Sequence, residues 1–239
     1  MKKIGILGGL GPESTIAYYE YITREYYRRY DNYAYPEIII YSLSFQEFID
    51  VGYQATEKVK RAIEKLHKAG ADFVIAACNS IHIVYEEVFK NIPIPWLSII
   101  DATAEEIKKN DINKVGLLGT IFTMGKEFYR AGLSKYGIEV LVPSLDDQKK
   151  INNIIYKELV LNELRDESRC IILKIIKKLN RKGAQGIVLG CTELPFLIKQ
   201  EDVSIKIFNT TIIHAQKALD FAFEEKLIKN RKVYSSWKK

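Results

Sequence analysis

Two cysteines occupy matching positions in this sequence, each directly after a short apolar run. Cys78 stands in Ala-Cys-Asn-Ser, and Cys191 stands in Gly-Cys-Thr-Glu. A thiol, with an ordinary pKa of about 8.5, can serve both as a base and as an acid. Two thiols on opposite faces of one carbon could remove a proton from one face and return a proton to the other, which inverts the stereocentre. Reacting distances of about 3–3.5 Å on each side would place the sulfurs roughly 6–7 Å apart, too far for a disulfide.

The two cysteines belong to an internal repeat of about 110 residues. Both copies contain the same two blocks: KIGILGG and KVGLLGT near their starts, then AGADFVIAACNS and KGAQGIVLGCTE. Gly5 precedes Cys78 by 73 residues, and Gly116 precedes Cys191 by 75 residues. Two matching blocks at nearly equal separation indicate two copies of one α/β unit.

Apolar patterning and glycine positions predict alternating strands and helices in both copies. We expect helices at residues 13–30, 53–69, 125–136 and 167–181, and strands at residues 37–42, 73–77, 96–99, 139–142, 186–189 and 205–208. Short apolar strands that alternate with helices predict an α/β fold with parallel sheets, whose ligands bind at the carboxyl ends of the strands. We therefore predict two similar domains related by a pseudo-two-fold, each a parallel sheet flanked by helices, with the active site in the cleft between them.

Each cysteine begins a strand-to-helix turn, where a helix N-terminus can stabilise a thiolate and lower the pKa of the thiol. Asn79, Ser80 and Thr192 are small polar residues suited to capping these helices, and backbone N–H groups there can bind a carboxylate. Glu193 leaves two interpretations open. It either binds a substrate ammonium or polarises Cys191, or it is an exposed carboxylate at a helix start.

Three other features of the sequence have simpler explanations. His82 either orients a thiol or bonds to the backbone on a helix face. Cys170, in the helical run at residues 168–176, is expected to pack in the core as a small apolar residue. The glycine-rich turn at residues 5–13 does not match the dinucleotide fingerprint G-x-G-x-x-G.

Charge and cysteine usage limit the partners that we expect. The net charge is +6, but residues 226–239 contain six Lys or Arg and no acidic residue, so the other 225 residues balance 30 basic against 30 acidic groups. We predict a solvated basic tail and no nucleic-acid partner. With no export signal, no apolar run of about 18 residues and no paired Cys/His cluster, we expect a cytoplasmic protein with no membrane segment, disulfide or metal.

Three motifs carry a resemblance to a known family. The segments GILGGLGPEST, ACNSIH and LGCTE are similar to the signatures of the cofactor-independent aspartate/glutamate racemases, within the Asp/Glu/hydantoin racemase superfamily, and the similarity extends to about residue 223. The resemblance implies that Cys78 and Cys191 are the catalytic bases, that neither pyridoxal phosphate nor metal is used, and that the protein is a homodimer. It also implies that the chain's end returns to the first domain, which would comprise residues 1–100 and 209–239, with residues 101–208 as the second. Residues expected in contact with the amino-acid substrate are Leu10, Asn79, Ser80, Thr192 and Glu193.

The same resemblance also concerns recognition of the substrate side chain. Some relatives carry an arginine after the second strand, but no Arg occurs here between Tyr30 and Lys60, and a lysine that some relatives have corresponds to Leu161. Recognition of a side-chain carboxylate would then come from Ser42, Gln46, backbone amides or a lysine that the motifs do not identify. Aspartate is the expected substrate, with glutamate next. The alternatives are another enzyme of this superfamily, such as a hydantoin racemase, a maleate isomerase-like enzyme or a decarboxylase, and a non-catalytic dicarboxylate-binding module.

Overall fold

The computed structural model describes residues 1–51 and 55–234, which form two parallel β-sheets covered by helices. The strands are β1 Ile4–Gly8, β2 Ile38–Ser42, β3 Phe73–Ala76, β4 Lys114–Leu118, β5 Glu139–Leu141, β6 Gly186–Leu189 and β7 Lys206–Asn209. The helices are α1 Pro12–Tyr30, α2 Phe45–Val51, α3 Thr56–Lys68, α4 Tyr85–Phe89, α5 Ile99–Lys109, α6 Ile121–Gly125, α7 Glu127–Ser134, α8 Leu145–Lys157, α9 Asp166–Arg181, α10 Leu194–Leu197 and α11 Thr210–Tyr234. Short 3-10 turns lie at Ser80–Val84, Leu159–Leu161 and Gln200–Asp202.

The sequence repeat appears in the structure as two sheets whose first three strands have the same order, and the second sheet has a fourth strand. The first sheet runs β2-β1-β3 and the second runs β5-β4-β6-β7, with all pairs parallel. Every residue of β1, β3 and β6 is buried, because helices cover both faces of each sheet. The predicted α/β class, with two parallel sheets flanked by helices, is confirmed.

The strand predicted at residues 96–99 is wrong in its extent. A single parallel bridge joins Trp96 to Val74 of β3. This bridge is the counterpart of β7, which pairs with β6 in the second sheet. The chain turns into α5 immediately afterwards, because the Ser98 side chain caps that helix by accepting a hydrogen bond from Asp101 N at 3.1 Å. The cap leaves no room for a longer strand.

Two helices, α5 after the Trp96 bridge and α11 after β7, pack on the opposite half of the molecule. In α5, Ile99 and Ala104 belong to the core of the second sheet, whereas in α11, Ala215 and Leu219 pack with Ile4 of β1. These two helices also contact each other. The exchange joins the halves and places the start of α11 with the first sheet. The exact domain boundaries stay a prediction, and residues 235–239 lie outside the described residues.

Three further expectations differ from the structure in detail. Residues 125–136 form α7 only from Glu127, because the extended backbone of Lys126 separates α7 from α6. The helix predicted from residue 53 is described from Thr56, and residues 52–54 lie outside the described part. Cys170 is exposed rather than in the core, because the buried stripe of α9 runs through Ser168, Ile172, Ile175, Ile176 and Leu179. Among the helices in the described part of the chain, none is both long and apolar enough to cross a membrane.

Candidate active site

A cavity of about 190 Å³ lies between the two halves, at the carboxyl ends of their strands. The first half contributes Leu10, Phe45, Phe48, Cys78, Asn79 and Ser80, and the second half contributes Thr120, Phe122, Ile155, Tyr156, Val160, Gly190, Cys191, Thr192 and Glu193. Both cysteines therefore line one cavity, and so do the five other residues that the sequence motifs predicted around them.

Ser42 and Gln46, the predicted ligands of a side-chain carboxylate, are not among the residues that line this cavity. Both are exposed, and Gln46 Nε2 donates a hydrogen bond to Asp50 Oδ1 at 2.7 Å. Phe45 and Phe48 line the cavity instead. These two residues are three positions apart on α2 and share one face of the helix, whereas Gln46 projects in another direction.

Cys191 is paired with a carboxylate. Its Sγ donates a hydrogen bond to Glu193 Oε2 at 2.9 Å, and the two residues are 8% and 4% exposed. Burial, followed by the nearby charge of Glu193, raises the pKa of the Cys191 thiol well above its ordinary value. The alternative of an exposed carboxylate at a helix start is therefore wrong for Glu193.

Glu193 is held by hydroxyl groups from both halves of the molecule. Ser14 Oγ, in the first turn of α1, lies 2.9 Å from Glu193 Oε1 and 2.6 Å from Thr192 Oγ1. Thr192 Oγ1 donates to Glu193 Oε2 at 3.0 Å. Gly11 makes this approach possible, because its φ is +139° and a Cβ there would lie 2.5 Å from Glu193 Oε1. The glycine-rich turn of the first half therefore supports the carboxylate of the second.

Cys78 has a different environment. Burial raises the pKa of its thiol to about 11, while the backbone N–H groups of Ile81 and Ser80 and the Ser80 hydroxyl act in the opposite direction. The lower thiol pKa that a helix start can produce is not found at either cysteine: burial outweighs the short 3-10 turn that follows Cys78, and burial together with the charge of Glu193 raises the pKa of Cys191. The sulfur surroundings are nonetheless asymmetric: two backbone N–H groups and a hydroxyl bond to Cys78, whereas Cys191 has one backbone N–H group and the carboxylate of Glu193 in direct contact.

The predicted helix caps are wrong as well, because the polar side chains connect the halves instead. Asn79 Nδ2 donates to Thr210 Oγ1 at 3.0 Å, and Tyr129 Oη donates to Asn79 Oδ1 at 3.1 Å. Ser80 Oγ lies 3.2 Å from Thr123 Oγ1. The residues that follow Cys78 are thus fixed against the second half and against α11, which sets the width of the cleft.

His82 holds the backbone around Cys78. The N–H of Ile99 donates to His82 Nε2 at 3.1 Å, so that nitrogen carries no proton, and His82 Nδ1 donates to the Cys78 carbonyl at 3.0 Å. Burial lowers the pKa of His82 to about 4 and that of the neighbouring His214 to about 3. Of the two interpretations of His82, the structure favours a histidine bonded to backbone. Its contacts position the turn that carries the thiol.

These buried neutral histidines predict a loss of stability in acid. Their folded-state pKa values lie below the unfolded value of about 6.5. Their contribution to the free energy of unfolding is therefore complete above that pH and is lost as the pH falls toward 4. We expect each histidine to lower the free energy of unfolding by about 2 kcal/mol between pH 6.5 and pH 5. Urea unfolding at several pH values measures this. His82→Gln should reduce the pH dependence and the exposed control His67→Gln should not; an unchanged pH dependence in His82→Gln would contradict the assignment.

Within residues 1–51 and 55–234, no three His, Cys, Asp or Glu side chains converge as metal ligands do. The polar groups among the residues that line the cavity are the two thiols, Glu193, Tyr156 and the hydroxyl and amide groups at the strand ends.

Comparisons with known proteins give the family and the fold. The family model described as Asp/Glu/Hydantoin racemase matches residues 7–218. The structure of an aspartate racemase homologue from Pyrococcus horikoshii OT3 is 41% identical, covers 93% of this chain and 99% of its own, and superimposes with a TM-score of 0.83. The broad-specificity amino-acid racemase RacX of Bacillus subtilis is 27% identical over 222 residues, 90% of this chain and 96% of its own. Glutamate racemase from Francisella tularensis shares the fold, with a TM-score of 0.67. It is 18% identical, and the match covers 95% of this chain and 82% of its own.

Proposed function

Because this chain belongs to the Asp/Glu/hydantoin racemase family, we propose that it racemises free amino acids without a cofactor, with Cys78 and Cys191 as the two bases. The observation that carries the proposal is that thiols from equivalent strand ends of the two repeats line one cavity. A single thiol in such a cavity would be compatible with many chemistries. A pair contributed by opposite halves suits proton transfer on both faces of one carbon.

The proposed reaction moves two protons and leaves the substrate composition unchanged. One sulfur, as thiolate, takes the proton from Cα, and the electron pair of the broken C–H bond is delocalised into the substrate carboxyl group. The other sulfur, as thiol, donates its proton to the opposite face of Cα. The two sulfurs have then exchanged protonation states. The opposite enantiomer reacts by the same steps in reverse.

Glu193 provides a route to the Cys191 thiolate. Its Oε2 already accepts the hydrogen bond from Cys191 Sγ, so the proton can pass along that bond and leave a thiolate beside a neutral acid. The pair keeps its net charge in this step, which matters because burial opposes any isolated charge. The thiolate of Cys78 is stabilised in another way, because the backbone N–H groups of Ser80 and Ile81 favour negative charge on its sulfur. A substrate ammonium between the sulfurs would favour the thiolate form of whichever sulfur acts as the base.

The polar groups at the strand ends supply contacts for the part of the substrate that all amino acids share. Thr120 and Thr192 provide hydroxyl groups, and Asn79 and Ser80 provide an amide and a hydroxyl at the opposite wall. We assign them to the α-carboxylate and α-ammonium groups of the substrate. The aspartate preference expected from the sequence motifs has less support, because Ser42 and Gln46 stand outside the cavity lining.

The proposal is tested by incubating the purified protein with single enantiomers of several amino acids in D₂O. We expect deuterium to replace the α-proton, seen by NMR, together with inversion, seen by chiral chromatography. Dialysis against a metal chelator and treatment with a carbonyl-trapping reagent should leave the rate unchanged. Products in which a carbon–carbon, carbon–nitrogen or double bond has changed would support another enzyme of the superfamily. Binding without any α-proton exchange would support the non-catalytic module.

A further inference from the structure

The cavity has two chemically different walls. The strand ends contribute its polar groups, whereas the helices and the 3-10 turn at Leu159–Leu161 contribute only apolar or aromatic side chains: Phe45, Phe48, Phe122, Ile155, Tyr156 and Val160. These six residues come from both halves. A substrate whose α-carbon lies between the thiols can direct its side chain only toward this second wall if its polar groups occupy the first.

We infer that the preferred substrates are amino acids with apolar or aromatic side chains, and that aspartate and glutamate are poor substrates. This inference rests on the proposed racemase function. No Lys, Arg or His is present among the described residues that line the cavity, and the one carboxylate there, Glu193, repels a second carboxylate. A side-chain carboxylate placed against the apolar wall would lose water without gaining a cationic partner, and burying an unpaired charge is unfavourable.

Basic residues near the wall do not change this conclusion. On the described surface close to α2, Lys58 pairs with Glu47, and Lys65 donates to Tyr41 Oη at 2.7 Å, so both are engaged away from the cavity lining. Residues 52–54, which are not described, are Gly, Tyr and Gln, so they contribute no cation.

The aromatic groups of this wall also favour the binding of apolar substrate side chains. Phe45, Phe48 and Phe122 line the cavity and are each partly exposed, and Ile155 lines it as a buried residue. An apolar substrate side chain that covers them removes apolar surface of both molecules from water, which favours binding. Leucine, methionine and phenylalanine match this chemistry.

The test compares kcat/KM for α-proton exchange in D₂O among leucine, methionine, phenylalanine, lysine, aspartate and glutamate. We expect the three apolar substrates to exceed aspartate and glutamate at least tenfold. A highest value for aspartate, glutamate or lysine would overturn the inference while leaving the racemase proposal intact. Exchange with none of the six would contradict both.

A charge introduced into the wall provides a second, independent measurement. Tyr156→Arg places a cation at the cavity, and we expect the ratio of kcat/KM for aspartate to that for leucine to rise about tenfold. The ratio cancels any general effect of the charge on the thiols. Asn153→Arg is the matched control, because Asn153 is exposed on α8 and is not a lining residue, and its ratio should equal that of the parent protein. The same ratio in both variants would show that substrate side chains do not reach this wall and would overturn the inference.

Discussion

Cys191→Ala and Cys78→Ala are each expected to abolish racemisation, with a loss of about 10²–10⁴-fold or more in kcat/KM. The physical reason is that inversion needs a proton acceptor on one face of Cα and a proton donor on the other, and each variant keeps only one sulfur. The decisive measurement is the rate at which each pure enantiomer loses its α-proton in D₂O, followed separately from the rate of inversion. A single remaining thiol can still exchange the proton on its own face, so we expect each variant to lose inversion more completely than exchange.

Cys170→Ala is the matched control for these variants. Cys170 is exposed on α9 and does not line the cavity, so its removal should leave both rates within about twofold of the parent protein. A Cys78→Ala or Cys191→Ala variant that folds normally, by circular dichroism and thermal unfolding, and still racemises at the parent rate would contradict the two-thiol mechanism. If only one of the two substitutions mattered, the chemistry would be that of a single nucleophile or base.

Glu193→Gln is expected to lower kcat/KM by on the order of 10²-fold near pH 7. The amide has nearly the same shape, and its one oxygen can still accept the hydrogen bond from Ser14, but the NH₂ group that replaces Oε2 cannot take the proton of Cys191. The proton must then leave to solvent or buffer. Because burial raises the pKa of this thiol well above its ordinary value, little thiolate forms at neutral pH.

The pH dependence distinguishes this role from simple loss of structure. In the proposed mechanism the proton moves within the Cys191–Glu193 pair of the parent protein, so that step needs no change in net charge. In Glu193→Gln the thiolate fraction should increase with pH below the thiol pKa, and part of the activity should return between pH 7 and pH 9. Glu201→Gln is the control, because Glu201 is exposed on the 3-10 turn at Gln200–Asp202. A Glu193→Gln variant with the parent activity and the parent pH profile would show that the carboxylate does not receive the proton.

The gross architecture could be predicted because it depends on local patterns. Apolar runs such as Phe73–Ala76 and Gly186–Leu189 are buried on both faces, and the repeated block around them made the duplication visible. The three motifs also identified the family correctly. The strand expected at residues 96–99 failed because Ser98 caps α5, and that choice between a strand and a helix start depends on a side-chain hydrogen bond rather than on hydropathy.

The sequence by itself determined the repeat, the alternating elements and the two thiols at equivalent strand ends, since each of these follows from residue types at short, regular spacing. Only the tertiary structure decided what surrounds those thiols. Ser14 and Glu193 are 179 positions apart yet share a hydrogen bond, and the apolar wall unites helices of both halves. The pKa of a buried thiol depends on the balance between lost hydration and the dipoles and charges around it. That balance is set by neighbours that the folded chain brings together across long separations, so no local pattern could have revealed it.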